Sequence, residues 1–164
     1  MENGKIEGEW SVSQILLDNG FLGILYGVGE YESDRIHLNS VREINFSDDF
    51  EEKGDLILSA RNISSVFLYR PSSNKVIWLK TSPFLNQHDV QYLGNGEFSI
   101  FGNDNVRIDL LGSPRAVAKN NSIWIYDMKT EKIYPYLTLS SSVNAQGRQK
   151  FLQFYFQISA IDDI

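Results

Sequence analysis

The chain has 164 residues, of which 42% are hydrophobic and 22% charged, an ordinary globular balance with room for one domain and a substantial core. A net charge of -6 and a pI near 4.9 argue against a nucleic-acid or anionic-membrane partner, because no Lys/Arg cluster is available to neutralise phosphates. The absence of cysteine removes disulfide scaffolds, thiolate metal sites and thiol nucleophiles together, and leaves the redox compartment open.

The N-terminus Met1-Glu2-Asn3-Gly4-Lys5 lacks a basic region followed by an apolar run, and no window approaches the length of a membrane span. As written, the chain reads as soluble and without an export signal. The stretch Gly4 to Trp10 is similar in pattern to later strands, so the chain is expected to begin at the end of a sheet unit. The one good helix candidate runs from Ser11 to Asn19: Val12, Ile15 and Leu16 share a face, Ser11 caps the start and Gly20 ends it. Its expected role is packing. Gly27-Val28-Gly29 lacks the following glycine and the strand-helix context of a phosphate loop.

From there the chain reads as short alternating runs bounded by Gly, Asn, Ser and Asp, with aromatics at 13% of residues, which predicts an all-β protein. The first expected hairpin pairs His37–Phe46 with Asp55–Arg61. The acidic run Asp48 to Lys53 falls in its turn and is read as a solvated loop. Ser65 to Tyr69, a polar turn and Lys75 to Trp78 follow. The pattern then repeats: His88–Leu93 with Glu97–Gly102, then Ser122 to Tyr126, a polar turn and Lys132 to Pro135. Each unit is four strands, and each first strand begins near a histidine. Four-stranded units recurring every ~40 to 50 residues are the signature of β-propeller blades. Trp78, Trp124, Tyr69 and Tyr126 fall at strand positions that read as blade core. Gln149 to Ile158 is a candidate strand of a third blade. Two full blades leave sheet faces uncovered, so the single domain over residues 1–164 is expected to be a fragment of a larger propeller or a self-associating partial one.

Three motifs run in order: Ile36-His37-Leu38-Asn39-Ser40-Val41, Leu58-Ser59-Ala60-Arg61-Asn62, and Gln87-His88-Asp89-Val90. With the Trp strand Lys75 to Leu79 and the segment Phe101-Gly102-Asn103-Asp104-Asn105, this order resembles the arylsulfotransferase family over roughly Trp10 to Tyr136. The resemblance implies a six-bladed propeller that moves a sulfuryl group from a phenolic sulfate to a phenol through a sulfated histidine. By position, His88 resembles that nucleophile. His37 and Arg61 resemble the holders of the sulfuryl oxygens, with Asn39 and Asn62 as substrate contacts. Bacterial members are often exported, and the compartment of this chain stays open. The chain departs from the family in having only two histidines and in carrying Asp89 where bacterial members usually carry Thr.

The chemistry suits these residue types. Sulfuryl transfer, like phosphoryl transfer, has a loose transition state with charge on three equatorial oxygens, so positioning and cationic groups dominate. A neutral imidazole is an available nucleophile at neutral pH, and a guanidinium offers paired, permanently charged donors. No cofactor or metal is called for. Each residue also has a plainer reading: the histidines as structural hydrogen-bonders, Arg61 as a solvated strand end, Asp89 as a partner of His88 or, preferred, as a turn residue. The alternative function is an inactive propeller segment serving as a binding or assembly module, and a hydrolase or lyase on the same scaffold is a third.

Overall fold

The computed structural model describes residue 6 and residues 8–27, 33–103, 105–107, 114–116 and 120–140. Two short helices come first. Helix α1 spans Val12–Asp18, and the Ser11 hydroxyl caps it by accepting the Gln14 N–H at 3.4 Å. The backbone then turns at Gly20, whose φ of 84° suits a residue without a Cβ. Helix α2, Leu22–Tyr26, is an addition to the sequence reading, which expected one helix. The expected strand before Trp10 is not found at Ile6 or Gly8 to Trp10: none of these described residues is hydrogen-bonded into a sheet, and Ile6 and Trp10 are exposed.

Strands β1 (Leu38–Glu43), β2 (Leu56–Ala60), β3 (Ser65–Arg70) and β4 (Lys75–Lys80) form one antiparallel sheet in chain order. The second unit begins with β5 (Asp89–Gly94) and β6 (Glu97–Gly102) and is completed by β9 (Asn120–Asp127) and β10 (Lys132–Ser140), in the order β10-β9-β6-β5. Between them the chain detours through the small pair β7 (Asn105–Arg107) and β8 (Pro114–Ala116), which has no counterpart in the first unit. Two four-stranded antiparallel blades, all-β apart from the N-terminal helices, make a partial, open propeller. The candidate third-blade strand Gln149–Ile158 lies outside the described residues.

The two blades stack through side chains that alternate along each strand. Ile57, Val66, Leu68 and Trp78 of the first meet Val90, Phe98, Ile100 and Tyr126 of the second, with Phe84 of the connecting segment between them. Trp78 is the centre of this layer, edge-on to Phe98 at 4.7 Å and to Tyr126 at 5.0 Å. The alternate residues of the first blade, Leu58, Ala60, Phe67 and Tyr69, turn the other way and are covered by Ile15 and Leu16 of α1 and Leu25 of α2. The helices therefore cap a blade face.

The loop from Ser47 to Gly54 departs from the reading as a solvated turn. Asp48 accepts the backbone N–H groups of Phe50 and Glu51 and the hydroxyl of Tyr92 from the second blade. Folding the loop this way drives Glu51 inside, to 1% exposure, and sets Phe50 against Gly96 of the β5–β6 turn. At the loop's end Asp55, also buried, receives a two-pronged bond from Arg70, Nε at 2.9 Å and Nη2 at 2.8 Å. The acidic run is a clasp between blades.

Candidate active site

In an antiparallel hairpin the residue before the first strand lies beside the residue after the second. Leu38 pairs with Ala60, so His37 and Arg61 come together just beyond the ladder, where the Arg61 N–H donates to the His37 carbonyl at 3.0 Å. His88 stands at the start of β5, the strand of the second blade that packs on β1 and β2, and its N–H donates to Phe101 at 2.9 Å. The starts of two inner strands and the end of β2 thus meet at one end of the blade pair.

His37 has a φ of 48°, a left-handed conformation that costs a non-glycine residue about 1–3 kcal/mol and persists only where the surroundings impose it. Here its carbonyl is held by Arg61, and its Nδ1 meets the Asp34 carboxylate at 2.5 Å. That contact fixes the ring and leaves Nε2 as the outward nitrogen. Arg61 is oriented by its neighbour: Nη1 donates to Asn62 Oδ1 at 3.0 Å, while Asn62 Nδ2 donates to the Asp34 carbonyl at 2.6 Å. The rest of the guanidinium's donors have no partner among the described residues.

His88 is solvent-exposed on one side, and its ring makes no hydrogen bond among the described residues. Protein packed around the ring, then the positive charges of Arg61 and His37, hold its pKa below the ordinary imidazole value. The cluster gathers the Arg61 guanidinium and the His37 ring around an imidazole kept neutral at neutral pH, an arrangement that can receive an anion and offer it a nitrogen lone pair.

Asn39 lies two residues along β1 from His37. Its Nδ2 donates to the Gln87 carbonyl at 2.9 Å, and its Oδ1 is buried without a partner among the described residues. Asp89 neither bonds to His88 nor makes a turn. It opens β5 and accepts from Ser40 at 2.7 Å, from Arg42 at 3.0 Å and from Gln91 at 3.0 Å, so its carboxylate ties β5 to β1. Three further residues at or beside the site had no role drawn from the sequence, although Gln87 lies in one of the ordered motifs. Asp34, whose three-residue spacing from His37 was its only signal, orients that ring. Gln87 is fully buried behind His88. Arg35 lies over the Tyr26 ring at 5.3 Å, beside a cavity of about 170 Å³ lined by Leu25, Tyr26, Asp34, Arg35 and Ile36.

Among the described residues no helix is long and apolar enough to cross a membrane. Fold and site together define a propeller-type protein with a His–Arg–His cluster at one end of its blades. The family model of the arylsulfotransferases, Arylsulfotransferase (ASST), matches residues 1–152, and the chain belongs to that family. No curated protein and no solved structure matches it.

Proposed function

We propose that the chain transfers a sulfuryl group from a phenolic sulfate ester to a phenol, with His88 as the transient carrier. The observation that carries this reading is the meeting of His88 with Arg61 and His37 at one end of two blades, where burial and the neighbouring Arg61 and His37 favour the neutral His88 ring beside a fixed guanidinium. In the first half-reaction the His88 lone pair forms an N–S bond as the S–O bond to the aryl oxygen breaks. The electron pair leaves with the phenolate, which takes up a proton. In the second, a phenol oxygen forms the new S–O bond, loses its proton, and the N–S electrons return to the ring.

Arg61 and His37 stabilise the equatorial oxygens where charge develops. Asn62 keeps the guanidinium turned, and Asn39 borders the substrate oxygens from β1. The cavity lined by Leu25, Tyr26 and Ile36 together with Ser13, Ser33, Asp34 and Arg35 is our candidate for the aromatic group, since its Asp34 also holds the His37 ring. No metal or organic cofactor takes part in these steps. We read the two blades as part of a six-bladed ring completed by further blades or by additional copies of the chain.

The test is incubation with 4-nitrophenyl sulfate and a phenol acceptor, following nitrophenolate release for the wild type, His88→Ala and Arg61→Ala. Turnover that both substitutions abolish supports sulfuryl transfer. No turnover from a folded wild-type sample would move the assignment to the second reading, a binding or assembly module. That reading draws support from the far face of the second blade, where Tyr134 and Tyr136 stay exposed beside Ile123 and Ile125.

A further inference from the structure

His88 is bracketed in sequence by two residues whose side chains both reach back into the first blade. On one side the Gln87 amide, fully buried, sends Nε2 to the Ala60 carbonyl at 3.1 Å, the Ser65 carbonyl at 2.8 Å and the Ser59 hydroxyl at 3.2 Å. Two of these acceptors are carbonyls, which have no hydrogen to give, so the amide is locked with its NH2 toward them. The Gln87 carbonyl is held in turn by Asn39. On the other side Asp89 takes Ser40 Oγ and Arg42 Nη2.

The partners on the first blade are themselves neighbours of the other two site residues. Ser59 and Ala60 run directly into Arg61, and Asn39, Ser40 and Arg42 follow His37 along β1. The path from His88 to Arg61 and to His37 is therefore a short run of hydrogen bonds and backbone, and the Gln87 bonds in it are buried where such bonds are geometrically strict. The apolar layer between the blades has no comparable direction: it sets their spacing and tolerates sliding, whereas a buried amide and a carboxylate with named partners fix register.

We propose that Gln87 and Asp89 are positioning residues that fix His88 at its working distance from Arg61 and His37. The geometry is a property of the folded chain, while its catalytic consequence rests on the sulfuryl-transfer reading. Loss of either bracket lets the His88 backbone shift away from Arg61 and His37, and a shift of about 1 Å at a reacting group costs on the order of 10²-fold in rate.

The experiment has two arms, both on the full chain. Titration of the His88 ring by NMR is compared in the wild type, Gln87→Leu, Asp89→Asn and Asn39→Ala, with melting curves to establish that each folds. The expected result is a His88 pKa raised toward the ordinary imidazole value in every folded variant, because the displaced ring gains solvent and moves away from Arg61 and His37. A surface control, Lys132→Ala, leaves it in place. In the second arm, 4-nitrophenyl sulfate turnover falls about 10²-fold in kcat with KM changed much less, since alignment and not binding is lost. Asp89→Asn, which keeps an acceptor for Ser40, loses less than Asp89→Ala. If Gln87→Leu does not fold, Asn39→Ala, which removes one bond from the same bracket, carries the test. An unchanged His88 titration in folded Asn39→Ala and Asp89→Asn would overturn the proposal. Wild-type protein without turnover but with the expected NMR shifts would instead reject the sulfuryl-transfer reading and leave the positioning role standing.

Discussion

Arg61 and His37 are joined backbone to backbone, one step past the Leu38–Ala60 pair that opens the β1–β2 ladder. The consequence is that the guanidinium and the imidazole leave the hairpin together, on the edge nearest β5. Replacing Arg61 therefore changes a charge without unpairing a strand. Arg61→Gln is expected to keep the wild-type melting temperature, to raise the His88 pKa, and to lower aryl sulfate turnover by about 10²- to 10³-fold, the usual loss on removing one donor to a developing oxyanion. NMR titration and the nitrophenolate assay read the two effects separately. Unchanged His88 titration would show that the Arg61 charge does not reach the ring.

The direction of the His88 shift sets a pH dependence. Only the neutral ring has a lone pair to give, and its pKa lies below that of an ordinary imidazole, so the nucleophile stays available into mildly acidic solution. We expect kcat/KM for aryl sulfate to fall on the acid side with a midpoint below that of a free imidazole. In Arg61→Gln that midpoint moves up. A profile that declines from well above pH 7 would argue that some other group carries the sulfuryl.

The blade interface makes a stability prediction centred on Trp78, which is 8% exposed and edge-on to Phe98 and Tyr126. Trp78→Ala removes a large core side chain and is expected to cost about 3–5 kcal/mol in denaturant unfolding. Its buried Nε1 has no hydrogen-bond partner among the described residues, so Trp78→Phe deletes an orphan donor along with some volume and costs less. Equal losses for the two variants would mean the indole N–H is satisfied in solution.

How much of this could be read from the residues depended on the range of the interaction. The blades were legible because strand alternation is local: Glu97–Gly102 matches its expected range, and Ser11 caps α1 as its position ahead of an apolar face suggested. The union of His37, Arg61 and His88 was legible only through the order of the motifs. Helix α2 was missed because a five-residue helix containing Gly23 has too little periodicity to show, and β7–β8 because nothing in the first blade corresponds to it. Asp89 was misread because its partners Ser40 and Arg42 lie 49 and 47 residues upstream. The burial of Glu51 was hidden for a related reason. A run of acidic residues looks solvated until Tyr92, from another blade, is known to engage its first aspartate.

Glu51 yields the sharpest prediction on stability. Its carboxyl is buried, and the hydrogen of the nearby Tyr92 hydroxyl is committed to Asp48, so among the described residues neither oxygen accepts a hydrogen bond of good geometry. Burial, reinforced by the charges of Asp48 and Asp55, pushes its pKa from 4.5 up to about 7. Asp48 goes the opposite way: burial works against it, but the bonds from Tyr92, Phe50 and Glu51 hold it well below the usual carboxylate range. For Glu51 the folded state binds the proton more tightly than the unfolded chain, so stability is greatest below pH 4.5 and is lost as pH rises to about 7. A shift of that size corresponds to about 3 kcal/mol. Glu51→Gln removes the titration, and the difference in unfolding free energy between variant and wild type should grow in the variant's favour across that window and level off above it. Taking the difference cancels the contribution of His88, which has the opposite sign over part of the same range. A difference that stays flat from pH 4.5 to 8 would mean that the Glu51 carboxylate is solvated when charged, and that the loop clasping the two blades opens without cost.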